Sequence, residues 1–145
     1  MSDFETKYAR TIELRAKANE INKGVLFEAL ASAGITSIHV EFDGYGDSGQ
    51  INGVAASSGD APAELPHTMI TIQTVSWGTT ETLTAQSTLE TAIENLCYDY
   101  LEQTHAGWEN NDGGYGEFRI DIAKRSIELE FNGRFTDTWT DNHTF

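Results

Sequence analysis

Two short acidic stretches rich in glycine hold the side chains best suited to chemistry: Asp43-Gly44-Tyr45-Gly46-Asp47-Ser48-Gly49, and Gly107-Trp108-Glu109-Asn110-Asn111-Asp112-Gly113-Gly114-Tyr115-Gly116-Glu117. Carboxylates on such loops are hard oxygen ligands of the kind calcium and magnesium take. Asp43, Asp47 and Asp112 are therefore the weak metal candidates, provided that the two loops meet at one end of a sheet. The helix-loop-helix calcium pattern is not met. Counted from Asp43, its third position is Tyr45, its sixth is Ser48 where glycine is needed, and its twelfth is Val54 where glutamate is needed.

Other chemistries find less. Gly46-Asp47-Ser48-Gly49 has the form of a serine nucleophile loop, but a nucleophilic serine needs a base and a group that orients the base. His39, His67, His105 and His143 stand in none of the matching contexts, and Asp141-Asn142-His143 is one residue short of an Asp-x-x-His block. Asp47 and Ser48 then read as turn residues whose side chains cap backbone groups. A zinc set is not expected, because there is one cysteine, Cys97, and no two histidines lie close along the chain. Cys97, on an apolar helix stripe, reads as a small core residue. A phosphate loop would need a lysine that the middle of the chain lacks. Paired carboxylates carry little weight where so many acids crowd together. No cofactor and no catalytic residues are expected.

Charge is the more informative quantity. The net charge is −14, and every basic residue lies near an end of the sequence: Lys7, Arg10, Arg15, Lys17 and Lys23, then Arg119, Lys124, Arg125 and Arg134. Between Gly24 and Phe118 there are fourteen acids and no lysine or arginine. Such a field repels phosphate backbones and anionic lipid headgroups, which excludes direct nucleic-acid and membrane-surface binding. It favours a cationic partner, either a basic protein surface or a divalent ion.

The elements that must position these groups follow from periodicity. A helix is expected over 3–22, punctuated by Lys23-Gly24, with a second over Val25–Ala33 that ends at Gly34. Ile38, Val40 and Phe42 alternate with His39 and Glu41 as in a half-buried strand, and residues 50–54 return antiparallel. Residues 55–67, with Pro62 and Pro66, read as an exposed loop. Strands are expected near 69–77 and 81–85. Ser87-Thr88-Leu89-Glu90 has the form of a capping box for a helix reaching about His105, with Leu89, Ile93, Leu96, Cys97 and Tyr100 inward and Glu94, Tyr98 and Glu102 outward. A hairpin follows: Phe118, Ile120 and Ile122 against Ile127, Leu129 and Phe131, after which the period-two tail adds an edge strand. The sum is a single α+β domain over 1–145, a two-layer sandwich with an antiparallel sheet of about four to six strands and helices on one face. No apolar run reaches the roughly 20 residues of a membrane span, and the first residues lack a signal-peptide pattern, so cytoplasm is expected.

Several segments together resemble a known family: Asn22-Lys23 through Leu26-Phe27-Glu28-Ala29-Leu30, Gly34-Ile35-Thr36, Phe42-Asp43-Gly44, Gly46-Asp47-Ser48-Gly49-Gln50-Ile51, Gly107 to Gly114, and Gly116-Glu117-Phe118. They look like an uncharacterised bacterial domain of unknown function often found on plasmids and other mobile elements, over about residues 22 to 134. The resemblance implies a fold and a genomic setting; it carries no catalytic residues.

The function expected from these readings is a non-enzymatic acidic interaction domain that docks on a basic, nucleic-acid-handling protein as a DNA mimic or inhibitor. Its face would comprise Asp43, Asp47, Glu109, Asp112 and Glu117, with Trp108 and Tyr115 as aromatic anchors and Glu94 and Glu102 contributed by the last helix. The alternative is a divalent-metal-binding protein or metal-dependent enzyme using the same loops.

Overall fold

The computed structural model describes residues 3–45, 48–75, 82–108, 113–134 and 138–145. The chain runs α1 (Asp3–Ser32), β1 (Ser37–Tyr45), β2 (Ser48–Ser58), β3 (Ala61–Ala63), β4 (Met69–Thr74), β5 (Leu83–Thr88), α2 (Leu89–Thr104), β6 (Gly114–Asp121), β7 (Ser126–Arg134) and β8 (Thr138–Thr144). Six strands form one antiparallel sheet in the order β3-β2-β1-β6-β7-β8, and β4 pairs with β5 apart from it. The α+β class expected from the order of helical and alternating segments is the one found.

The expected break at Lys23-Gly24 does not occur. α1 passes straight through it, because the residues beyond the glycine bury Leu26, Phe27 and Leu30 in the core, and tertiary packing overrides the roughly 1 kcal/mol that glycine costs inside a helix. A Cβ at Gly24 would meet only the Arg125 guanidinium, which lies 5.4 Å over the Phe27 ring. The helix stops where expected. Gly34 takes φ 78°, its N–H donates to Ala31 O at 3.0 Å, and the Ile35 N–H donates to Leu30 O at 3.0 Å, closing the last turn as a Schellman motif. Along its first half, Tyr8 and Ile12 are exposed, and the buried side is made by Thr11, Leu14, Ala18 and Asn19.

The central sheet is built on alternation. Val40, Phe118 and Leu129 face one another across β1, β6 and β7, and each is 0% exposed. Ile38, Phe42, Ile120, Ile127 and Phe131 share that inner face, where Leu89, Ile93, Leu96, Cys97, Tyr100 and Leu101 of α2 complete one core. Each such side chain contributes on the order of 1.5–3 kcal/mol by burial. Cys97 is buried as expected, and burial pushes its thiol well up, so it is inert. The capping box shifts by one residue: Thr88 is the N-cap and accepts from the Thr91 N–H at 3.2 Å, while Ser87 is buried in β5.

Residues 55–67 are not all loop. β2 continues to Ser58 and β3 adds an outer edge, where Pro62 is tolerated because an edge strand leaves one side of its backbone unpaired. The β4–β5 pair forms near the expected residues, but β5 runs on to Thr88, past the expected end at 85 and into the segment read as the capping box; Trp77 and Glu81 lie outside the described residues. A two-stranded ribbon is marginal alone. Here Asn22 of α1 clasps it: its Oδ1 accepts from the Gln73 N–H at 2.7 Å, and its Nδ2 donates to Gln73 O at 3.0 Å. Asn22→Ala leaves both part-buried backbone groups without that partner, so it should cost about 1–3 kcal/mol in a urea melt and raise the exchange rate of the Gln73 amide.

Candidate functional site

The face of the six-stranded sheet turned away from the helices carries the polar phase of every strand. β1 places His39, Glu41 and Asp43 there, β6 places Tyr115, Glu117, Arg119 and Asp121, and β7 places Glu128 and Glu130. Register sets Glu41 opposite Glu117 and Glu117 opposite Glu130, so three glutamates form one row across three adjacent strands. Like charges directly opposite are destabilising. Two groups from the next row offset them. The Arg119 guanidinium pairs with Glu117 and lies 3.7 Å from both Glu128 and Glu130; the His39 ring pairs with Glu117 and lies 3.9 Å from Glu41. Asp121 is held differently, accepting from the Lys124 N–H at 3.0 Å in the turn. Among the described side chains the result is an exposed, predominantly anionic sheet surface with Arg119 at its centre.

Of the residues expected to form the functional face, Asp43, Tyr115 and Glu117 come together here; Asp43 and Tyr115 are cross-strand partners. Trp108 corrects the sequence reading. It is 7% exposed and packs edge-on against Phe42 with centroids 5.5 Å apart, so it is a core residue and not a docking anchor. Glu94 and Glu102 belong to α2, in the layer on the other side of the sheet, and do not join the face. Glu94 is half-buried, and burial first, then Glu90, holds its carboxyl above the ordinary range. Tyr98, expected beside them in solvent, instead accepts the Ile51 N–H at 2.8 Å, next to the register shift of the β1–β2 pair. Asp47, Glu109 and Asp112 lie outside the described residues. Asp43 is therefore the one loop metal candidate whose position is described. Glu41, Glu128, Glu130 and Arg119 were missed as site residues, although the alternation that exposes them is visible in the sequence.

A second group was hidden altogether. His105, the C-cap residue of α2, meets Asp141 and His143 of β8, with one ligand atom of each within 4.8 Å of the others. The His105 Nε2 and His143 Nε2 lie 3.1 Å apart, and Asp141 Oδ2 lies 3.7 Å from His105 Nε2. His105 is fixed by stacking of its ring on Phe131, centroids 3.9 Å apart and 7° from parallel, and by its backbone N–H donating to Leu101 O at 2.7 Å. Burial first, and His143 second, hold its imidazole below the ordinary histidine range, against the opposing pull of Asp141. Phe131 and Trp139 reach this corner because Gly114 and Gly133 leave the sheet flat beneath them; a Cβ at either would strike those rings. The histidines are far apart in sequence, so spacing gave no signal of the pair.

The chain belongs to a family of unknown function, DUF6878, which matches residues 18–145. The match extends past the segment recognised from loop motifs and includes β8. No curated protein and no solved structure matches the chain.

The Glu117 carboxyl is held below the usual carboxylate range, first by its hydrogen bond to His39 and then by Arg119, with burial opposing. A depressed folded pKa contributes stability that is present above the unfolded value of about 4.3 and is lost as pH falls through the folded value. The stability of the native chain relative to Glu117→Gln should accordingly be greatest above about pH 5 and shrink on acidification; urea midpoints at neutral and acid pH measure it.

Proposed function

Because membership of this family brings no activity with it, we propose on the geometry alone that the chain is a non-enzymatic acidic interaction domain that docks a basic protein surface on its open sheet face. The observation that carries this reading is the Glu41–Glu117–Glu130 row. Adjacent strands lie about 4.8 Å apart and alternate residues along a strand about 6.7 Å apart. A planar array of carboxylates at such spacing presents negative charge to a cationic groove much as a nucleic-acid backbone presents phosphates. Sites that break a local packing rule are the places to look for function.

Complementary charge would steer such a partner and set its orientation, while the partner's own cations would relieve the repulsion within the row. Tyr115, 37% exposed beside Asp43, supplies an aromatic group at one end of the face. In this reading the partner is a nucleic-acid-handling protein, and the domain acts as a DNA mimic or inhibitor in the bacterial cytoplasm, as an accessory of a mobile element. No described helix is long and apolar enough to cross a membrane, and direct nucleic-acid binding runs against the sign of the field.

An arginine-rich peptide labelled for fluorescence anisotropy serves as the probe. Glu41→Lys with Glu130→Lys should weaken its binding by at least about tenfold, or about 1.4 kcal/mol, and duplex DNA should compete with the native chain for the peptide. The control is Glu20→Lys with Glu28→Lys on α1, which changes net charge equally and should cost less than about threefold. Equal losses in the two variants would show that only total charge matters and would overturn the proposal.

A further inference from the structure

The corner between the end of α2 and β8 has the makings of a metal centre. Three donor atoms converge there: two imidazole nitrogens and a carboxylate oxygen, all within 4.8 Å of one another. Zinc binds histidine nitrogen at about 2.0–2.1 Å and carboxylate oxygen at about 2.0–2.2 Å, so ligands at tetrahedral angles lie about 3.3–3.5 Å apart. The Nε2–Nε2 separation of 3.1 Å and the Nε2–Oδ2 separation of 3.7 Å fall within a few tenths of an ångström of that figure. Few side-chain movements separate this arrangement from a coordinated ion.

Backbone and packing set the geometry. Asp141 and His143 are two apart on β8 and pair with Phe131 and Leu129, so both side chains leave the strand on its inner side, toward α2. His105 reaches the same point from the helix terminus, clamped flat on Phe131. Its side chain is 11% exposed while that of Asp141 is 48% exposed, so the site has a dry floor and an open rim. Two imidazoles select zinc and its transition-metal neighbours over calcium and magnesium, which favour all-oxygen sets. This donor set is thus distinct in chemistry from the carboxylates of the acidic loops.

We propose that His105, Asp141 and His143 bind one divalent transition-metal ion, with zinc the best fit, leaving one coordination position open to water or to an outside ligand. Three protein ligands plus a free position is the arrangement that zinc sites use when they act on a bound molecule, whereas purely structural sites close all four. The proposal is independent of the docking surface, which lies on the opposite face of the sheet.

The test uses the full chain stripped of metal with a chelator. Calorimetric titration with zinc should give one ion per chain, and cobalt in its place should give the visible absorption of a low-coordinate centre. His143→Ala should lower zinc affinity at least about 100-fold and Asp141→Asn at least about tenfold. His67→Ala, an exposed histidine elsewhere, and Glu41→Lys with Glu130→Lys should leave it unchanged. If His143→Ala does not fold, the Asp141→Asn titration decides. Absence of stoichiometric zinc binding by the native chain would overturn the proposal, as would binding that survives in Asp141→Asn and in any folded His143 variant.

Discussion

The antiparallel pairing of β1 with β6 is the constraint on which the rest of the molecule depends. It joins strands at opposite ends of the chain's acidic middle, with Ser37 opposite Asp121 and Gly44 opposite Gly114. In that register Val40, Phe118 and, through β7, Leu129 form a fully buried row. Because side chains alternate strictly across a strand, the same register lines up Glu41, Glu117 and Glu130 on the other face. A slip of one residue would exchange the faces and bury the carboxylates. Magnitudes decide the matter: each buried apolar side chain contributes roughly 1.5–3 kcal/mol, against roughly 0.2–1 kcal/mol for a like-charged cross-strand pair. The core therefore dictates an electrostatic arrangement that the carboxylates would not adopt by themselves.

Arg119 and His39 moderate that arrangement without cancelling it. Both stand in the row next to the glutamates, and both turn toward Glu117. Glu41 and Glu128 are more exposed than Glu117, and exposed pairs of this kind contribute little to stability. Their value to a partner would lie in orientation and rate of encounter more than in stability of the fold. Negative charge is thus set on strands whose other face is fully buried at Val40, Phe118 and Leu129.

The inner face of the sheet has its own exception at β8. Alternation carried out to the edge strand points Trp139, Asp141, His143 and Phe145 toward the helices, although two of these four are polar. Phe145 stacks on Tyr100 at 4.3 Å and extends the core, while Trp139 packs against Phe131 and stays exposed. Asp141 and His143 sit where that core meets solvent, and both lie against the His105 ring. Flat glycine positions on β6 and β7 make room for the rings that hold the histidine.

Much of this was legible in advance. Alternation at Ile38 to Phe42, Phe118 to Ile122 and Ile127 to Phe131 determined strands, their buried sides and the fold class, because period two has one physical meaning once a face must be dry. The stripe from Leu89 to Tyr100 and the glycine at position 34 determined where α2 packs and where α1 ends. Sequence also determined the sign of the surface potential, since charge needs no fold to be counted. Tertiary structure alone decided which strands are neighbours, whether Gly24 breaks a helix, that Trp108 turns inward, and that His105 finds Asp141 and His143. Those outcomes rest on contacts between residues distant in the chain, and local periodicity carries no information about which distant surface an element will meet.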